Sequence, residues 1–228
     1  TDKIHLHSDT PAFCLELGAS LTVGEATATP LSTFLSDSGV SNSASLTTKI
    51  NEYLYFGYGS SGRTSERYYL ATQKLVWEAL NSAGFFSTST YNAKTIIARP
   101  PSFSKVNFYA TNGGTLDLSS EVSAIETSIT NYYKEPSICS TSSLTLVTGA
   151  EATLTDSNGV LSEFTVSCGT GLTCQATGNS LKITASSAGN QTITLTKAKK
   201  GSDAIAYVHG SYQDVCFFAG GADEFNIC

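Results

Sequence analysis

Apolar residues recur along this chain at two different spacings, and the change falls near Pro136. Upstream of it, Leu46, Ile50, Tyr53 and Leu54 recur at helical spacing, as do Val122, Ile125, Ile129, Tyr132 and Tyr133. That period lines one face of a helix with apolar side chains. The clearest helix is predicted from about Ser65 to Ala83, with Tyr69, Leu70, Val76, Trp77 and Leu80 as its apolar stripe. Thr64 or Ser65 offers an N-cap oxygen, and Gly84 offers the left-handed residue that commonly follows a helix. Gln73 falls on the apolar stripe, between Tyr69 and Trp77. A carboxamide on a buried face needs hydrogen-bond partners. Gln73 is therefore either a satisfied glutamine at the edge of a core or a residue that orients something polar.

Downstream of Pro136 the period becomes two. Leu181, Ile183 and Ala185 alternate with Ser180, Lys182 and Thr184, and Ile193, Leu195, Phe164 and Val166 alternate with polar neighbours in the same way. Such alternation marks strands with one buried face. Asp156-Ser157-Asn158-Gly159 separates two of these runs and predicts a hairpin, because Asn-Gly accepts the positive φ of a type I′ turn. Its Asp-x-Asn also resembles a fragment of a calcium loop, but no acidic residue stands at the closing position. The last segment, Ile205 to Phe218, is expected to close the sandwich.

The resulting fold class is α+β: a β-sandwich or barrel-like β part with a helical insertion. A single domain is expected over 1–228, with opening strands over 1–40, a helical portion over 41–135 and a β-sandwich portion over 136–228.

Composition narrows the setting. Charged residues are only 14% of the chain and hydrophobic ones 40%, with many Ser and Thr, which suits a β-rich extracellular domain. The net charge is −6 and the 13 Lys and Arg are scattered, which argues against nucleic acid as a partner. The densest basic run, Lys197-Ala198-Lys199-Lys200-Gly201, reads as a solvated turn. No apolar run reaches the length of a membrane span. The chain opens on Thr1 without a signal peptide and is expected to be a mature or trimmed segment.

Six cysteines, Cys14, Cys139, Cys168, Cys174, Cys216 and Cys228, suit a disulfide-bonded secreted protein. Cys168 and Cys174 bracket a hairpin-like stretch that a disulfide can staple; the pairing of Cys139, Cys216 and Cys228 stays open. Neither Cys-x-x-Cys nor His-x-x-x-His occurs, so a zinc site is not expected, and no cofactor is called for.

Cys14 carries the chemistry worth weighing. With His5, His7 or His209 it could form a Cys–His pair. His5 and His7, however, alternate with Ile4 and Leu6 on what reads as an edge strand facing solvent, and no protease signature surrounds Cys14. Asp214 and Asp223 read as turn or surface residues. A second possibility joins Cys14 to Gln213. A thiol and a carboxamide held together away from water can condense, with loss of ammonia, to an internal thioester. Many aromatics surround the candidate segments, including Phe13, Tyr53, Tyr55, Phe56, Tyr58, Tyr69, Trp77, Tyr212, Phe217 and Phe218.

Three ordered motifs resemble the thioester domain of surface adhesins and pilus tips of Gram-positive bacteria. Phe13-Cys14-Leu15 is similar to that family's aromatic–Cys–aliphatic motif, Thr72-Gln73-Lys74-Leu75-Val76-Trp77 to its Thr-Gln-x-x-aliphatic-Trp helix, and Tyr212-Gln213-Asp214-Val215 to its late aromatic–Gln motif. Tyr53 to Gly59 resembles its aromatic-glycine segment, and Leu154 to Leu161 its β subdomain.

The resemblance implies that Cys14 supplies the sulfur and Gln213 the acyl group, with Thr72, Gln73, Trp77 and Tyr212 in support. It implies a covalent adhesin on the bacterial surface rather than a turnover enzyme. The partner would be a host cell-surface or matrix protein, joined through a lysine. The alternative is a disulfide-stabilised, non-covalent surface module, with Cys14 bonded to another cysteine such as Cys216; a Cys-dependent enzyme is the third reading.

Overall fold

The computed structural model describes residues 4–5, 10–17, 19–22, 24–60, 62–87, 108, 113–141, 143–200, 204–210, 212–220 and 223–228. In chain order its strands and helices are β1 (Ile4–His5), β2 (Pro11–Cys14), β3 (Thr27–Pro30), α1 (Leu31–Asp37), α2 (Ser43–Phe56), α3 (Glu66–Ser82), α4 (Ser119–Tyr132), β4 (Glu151–Thr155), β5 (Thr165–Cys168), β6 (Leu172–Thr177), β7 (Ser180–Ala185), β8 (Ile193–Lys200), β9 (Ala204–Val208), β10 (Val215–Phe218) and β11 (Asp223–Ile227). The chain is α+β, and its sheets are antiparallel. None of the sheets among the described residues closes into a barrel. No described helix is long and apolar enough to cross a membrane.

The residues divide into two compact units. The first comprises Thr1–Ile129 and Ser202–Gly221; the second comprises Thr130–Gly201 and Ala222–Cys228. In the first unit a five-stranded sheet runs in the order β1-β2-β10-β9-β3. Apolar side chains of β2, α1, α2 and α3 share its core, among them Phe13, Phe34, Ile50, Leu54, Val76 and Leu80. Helix α3 starts where a side-chain oxygen is available: Ser65 accepts from the Tyr68 N–H at 3.4 Å. It stops at Ala83, and Gly84 follows at φ 80°, a backbone state that costs glycine little. The expected stripe is buried, and Gln73 is buried with it.

In the second unit two three-stranded sheets, β11-β8-β5 and β4-β7-β6, share a core of Ile138, Val160, Leu161, Phe164, Leu181, Ile183 and Leu195. Alternate residues of β7, namely Leu181, Ile183 and Ala185, are buried, as their spacing predicts. Cys168 is joined to Cys174 and Cys139 to Cys228.

Four local expectations are corrected. The segment from Ile205 to Phe218 does not close the sandwich: β9 and β10 belong to the first unit, where β10 pairs with β2. Gln213 consequently stands in the unit that holds Cys14, not with the β portion that begins near Pro136.

Asp156 to Gly159 is not a hairpin turn, because β4 pairs with β7 while β5 pairs with β8. The physical reason lies in Asp156, whose carboxylate turns the chain out of β4. Oδ1 accepts from the N–H groups of Ser137 at 2.7 Å and Asn158 at 2.9 Å, and Oδ2 from those of Val160 at 2.7 Å and Leu161 at 2.8 Å. Cys168 and Cys174 do not staple a hairpin either, because β5 pairs with β8 and β6 with β7. They link β5 of one sheet to β6 of the other.

Finally, Lys197 is not part of a solvated turn. It is buried in β8, paired with Glu163, and donates to the Tyr132 carbonyl at 3.1 Å beneath the rings of Tyr132 and Phe164.

Candidate functional site

The site is built where β2 meets β10. Cys14 lies directly opposite Val215, and Phe13 opposite Cys216. Directly opposed residues in an antiparallel pair project from the same face of the sheet. Phe13 and Cys216 therefore point to one face and Cys14 to the other. Phe13 and Cys216 are buried in the helical core, where Phe13 stacks on Tyr69 at 4.9 Å. This geometry separates the two sulfurs: both cysteines are free thiols.

One residue past β2 the ladder continues, with the Leu15 N–H donating to the Asp214 carbonyl at 2.9 Å. Backbone groups of alternate residues in an antiparallel strand aim to opposite sides, so Cys14 turns its own N–H and C=O away from β10. Strand β1 covers that edge at Pro11 and Ala12. At Cys14 the edge is taken by Gln73. Its Oε1 accepts from the Cys14 N–H at 2.7 Å, and its Nε2 donates to the Cys14 carbonyl at 2.9 Å. One turn earlier on α3, the Tyr69 hydroxyl donates to the Ala12 carbonyl at 2.7 Å. Helix α3 thus acts as an extra edge for β2, which accounts for a carboxamide on an otherwise apolar stripe.

Thr72 acts on a different neighbour. Its hydroxyl donates to the Tyr68 carbonyl at 2.8 Å and accepts from the Tyr58 N–H at 2.9 Å, holding the α2–α3 connection against α3. Gly57 makes that approach possible, since a Cβ there would stand 2.2 Å from the Thr72 hydroxyl oxygen. Trp77, one turn beyond Gln73, is buried with its ring stacked on Phe108 at 6.0 Å. Tyr212 is 44% exposed and meets the His209 ring edge-on at 5.2 Å.

Gln213 is buried just before β10. Its N–H donates to the Ser20 carbonyl at 3.0 Å and its side-chain Nε2 to the Asp214 carbonyl at 2.9 Å. That carbonyl also receives the Leu15 N–H, so the Gln213 carboxamide and the residue after Cys14 share one acceptor. The structure thus gathers Cys14, Gln73 and Gln213 around the β2–β10 junction.

Two acids complete the junction, and neither was singled out by residue pattern. Asp214 is fully buried rather than a surface residue, and it accepts from the His209 N–H at 2.7 Å. Glu16 is 1% exposed, and its Oε2 accepts from the Asp214 N–H at 2.8 Å. The signal that could have found Glu16 is its place two residues after Cys14 in an apolar run. Burial, and after it the charge of Glu16, pushes the Cys14 thiol up to about 12. Burial, with Cys14 second, pushes up Cys216 as well.

Among the described histidine side chains, His209 lies near the junction. His5 lies in the edge strand β1 with its side chain outside the described residues, His7 lies outside them altogether, and so does the side chain of Asp223 in β11. Beside Phe13 opens an aromatic cavity of about 440 Å³, walled by Tyr55, Phe56, Tyr58 and Phe218.

The family model of the thioester domain matches residues 11–135. The chain belongs to the thioester domain family. The matched stretch holds Cys14, Thr72, Gln73 and Trp77, and stops short of Gln213. The fold is similar to that of the thioester domain of the Staphylococcus aureus TIE protein, with a TM-score of 0.52 and 19% sequence identity over 91% of this chain and 76% of that one. No curated protein matches this thioester domain.

Proposed function

We propose that Cys14 and Gln213 form the internal thioester of this domain, and that the domain is a covalent adhesin. The reading is carried by one observation: the Gln213 carboxamide and Leu15, the neighbour of Cys14, share the Asp214 carbonyl in a buried junction. Sulfur attack on the Gln213 Cδ expels ammonia and leaves an acyl group bonded to Sγ. Proximity of this kind supplies ~7–11 kcal/mol of the barrier without an enzyme. Gln73 fixes the backbone of Cys14 from the other side.

A lysine amine of a host surface or matrix protein then attacks the acyl carbon. The C–S bond breaks, the Cys14 thiol is released, and an amide joins Gln213 to the partner. Free lysine has a pKa of ~10.4, so the neutral amine is scarce at neutral pH and docking must present it. Each site reacts once, so the domain is a covalent binder rather than a turnover enzyme, and it works outside the cell on the bacterial surface.

The test uses methylamine. Folded protein is incubated with it, digested, and mapped by tandem mass spectrometry. Methylamide on Gln213 together with an alkylatable Cys14 supports the assignment. Methylamide elsewhere, or a Cys14→Ala variant that still couples, overturns it.

A further inference from the structure

We propose that Glu16 is the proton acceptor for bond formation: its carboxylate takes the Cys14 thiol proton as Sγ attacks Gln213, and passes that proton to the departing nitrogen. This inference rests on the thioester reading above.

Acids are rarely buried unless something holds them. Glu16 is held by the very segment that carries the acyl donor. Its Oε2 accepts from the Asp214 N–H, while the carbonyl of the same residue accepts from Gln213 Nε2 and Leu15 N–H. Cys14, Leu15 and Glu16 therefore engage Val215 and Asp214 in turn, and the carboxylate is anchored beside the reacting pair. Among the described residues, the titratable groups whose contacts lie at this junction include Cys14 on β2, Cys216 on β10, Asp214 and His209 before β10, and Tyr69 on α3; α3 also carries Glu66, Arg67, Tyr68, Lys74 and Glu78, and β9 carries Tyr207. Cys216 projects to the opposite face, Tyr69 donates to Ala12, and Asp214 holds the His209 N–H. Glu16 is the charge that acts on the Cys14 thiol.

Charge conservation favours the transfer. Losing the thiol proton to water would leave a thiolate next to a carboxylate in a desolvated site, two like charges together. Passing the proton to Glu16 leaves one negative charge throughout. The balance is complete: the Sγ–Cδ bond forms, the Cδ–Nε2 bond breaks, Glu16 returns its proton to the leaving amide nitrogen, and ammonia departs with the carboxylate restored. In the forward reaction with a partner amine, Glu16 accepts the amine proton and delivers it to the Cys14 sulfur.

The test reopens the bond with ammonia, which regenerates Gln213 and the thiol, then removes the ammonia and follows closure by intact mass from about pH 6 to about pH 10. Glu16→Gln keeps an oxygen for the Asp214 N–H but accepts no proton. It is expected to close about 10²- to 10⁴-fold more slowly near neutral pH, and to speed up about tenfold per pH unit as hydroxide takes over. Glu16→Asp restores a carboxylate and is expected to recover the wild-type pH profile at a rate above that of Glu16→Gln. Closure of Glu16→Gln at the wild-type rate overturns the inference. So does slow closure that pH does not relieve, since that marks a purely positional role. A wild-type chain that never loses ammonia overturns the thioester itself, and the inference with it; the two failures are thereby distinguished.

Discussion

The Gln73 side chain completes both backbone hydrogen bonds of Cys14, accepting at 2.7 Å and donating at 2.9 Å. Replacement by Glu keeps the acceptor and removes the donor. The Cys14 carbonyl then faces a carboxylate in a part-buried setting, a loss of about 1–3 kcal/mol. We expect Gln73→Glu to lower the melting temperature by several degrees and to reduce the fraction of chains that have lost ammonia. An unchanged fraction would show that Cys14 needs no edge partner.

Cys216 stands opposite Phe13 and so faces away from Cys14. Cys216→Ala should leave the ammonia-loss mass signature intact and cost about 1 kcal/mol from a small core cavity. Disappearance of the signature would tie Cys216 to the bond.

With Gln213→Ala no thioester can form and Cys14 remains a thiol. Its pKa, pushed to about 12 by burial and then by Glu16, keeps it protonated at neutral pH. Alkylation by iodoacetamide at pH 7 should be roughly a thousandfold slower than for an ordinary exposed cysteine of pKa ~8.5, because only the thiolate attacks. The rate should climb as pH rises toward the thiol pKa. Rapid labelling at pH 7 would contradict the buried setting.

Asp156 offers a pH test in the second unit. Burial pushes its pKa up, but four backbone N–H bonds outweigh burial and hold it at about 2. A depressed acid contributes stability that is present above its unfolded pKa of ~3.9 and is lost as pH falls through the folded value. Acid unfolding of this unit, followed by near-UV circular dichroism, should therefore gain a component between about pH 4 and pH 2. Asp156→Asn turns an NH₂ toward the Val160 and Leu161 amides and should cost about 2–3 kcal/mol at neutral pH while flattening that limb.

The disulfides should differ in weight. Cys139–Cys228 spans 89 residues and Cys168–Cys174 spans 6. In the loop-entropy model the first contributes about 4–5 kcal/mol and the second about 2 kcal/mol. Paired Cys→Ser changes at 139 and 228 should therefore lower the melting temperature more than those at 168 and 174; the reverse order would contradict this account.

How much of this could be read from residue pattern depends on the range of the forces involved. Helix α3 was legible to within a residue because its stripe, its Ser65 cap and its Gly84 stop are all local signals. The alternation in β7 was legible for the same reason. The turn at Asp156 was misread because Asn-Gly states which dihedrals are allowed, whereas the Asp156 carboxylate decides where the next strand goes. The partner of β10 was misread because strand pairing across most of the chain leaves no local mark. Gln73 announced itself as a polar residue on an apolar stripe, but its partner did not. Glu16 and Asp214 look like ordinary acids, and only burial separates them from the surface.

Intact mass under denaturing, non-reducing conditions separates a Cys14–Gln213 thioester from a free thiol and an intact carboxamide. The expected mass lies below that of the sequence by the hydrogens lost in two disulfides and, in addition, by one ammonia. The ammonia deficit should vanish in Cys14→Ala and be replaced by an amine adduct after methylamine treatment. A chain that shows the disulfide hydrogens alone, with no ammonia deficit and no adduct, would contradict the thioester between Cys14 and Gln213.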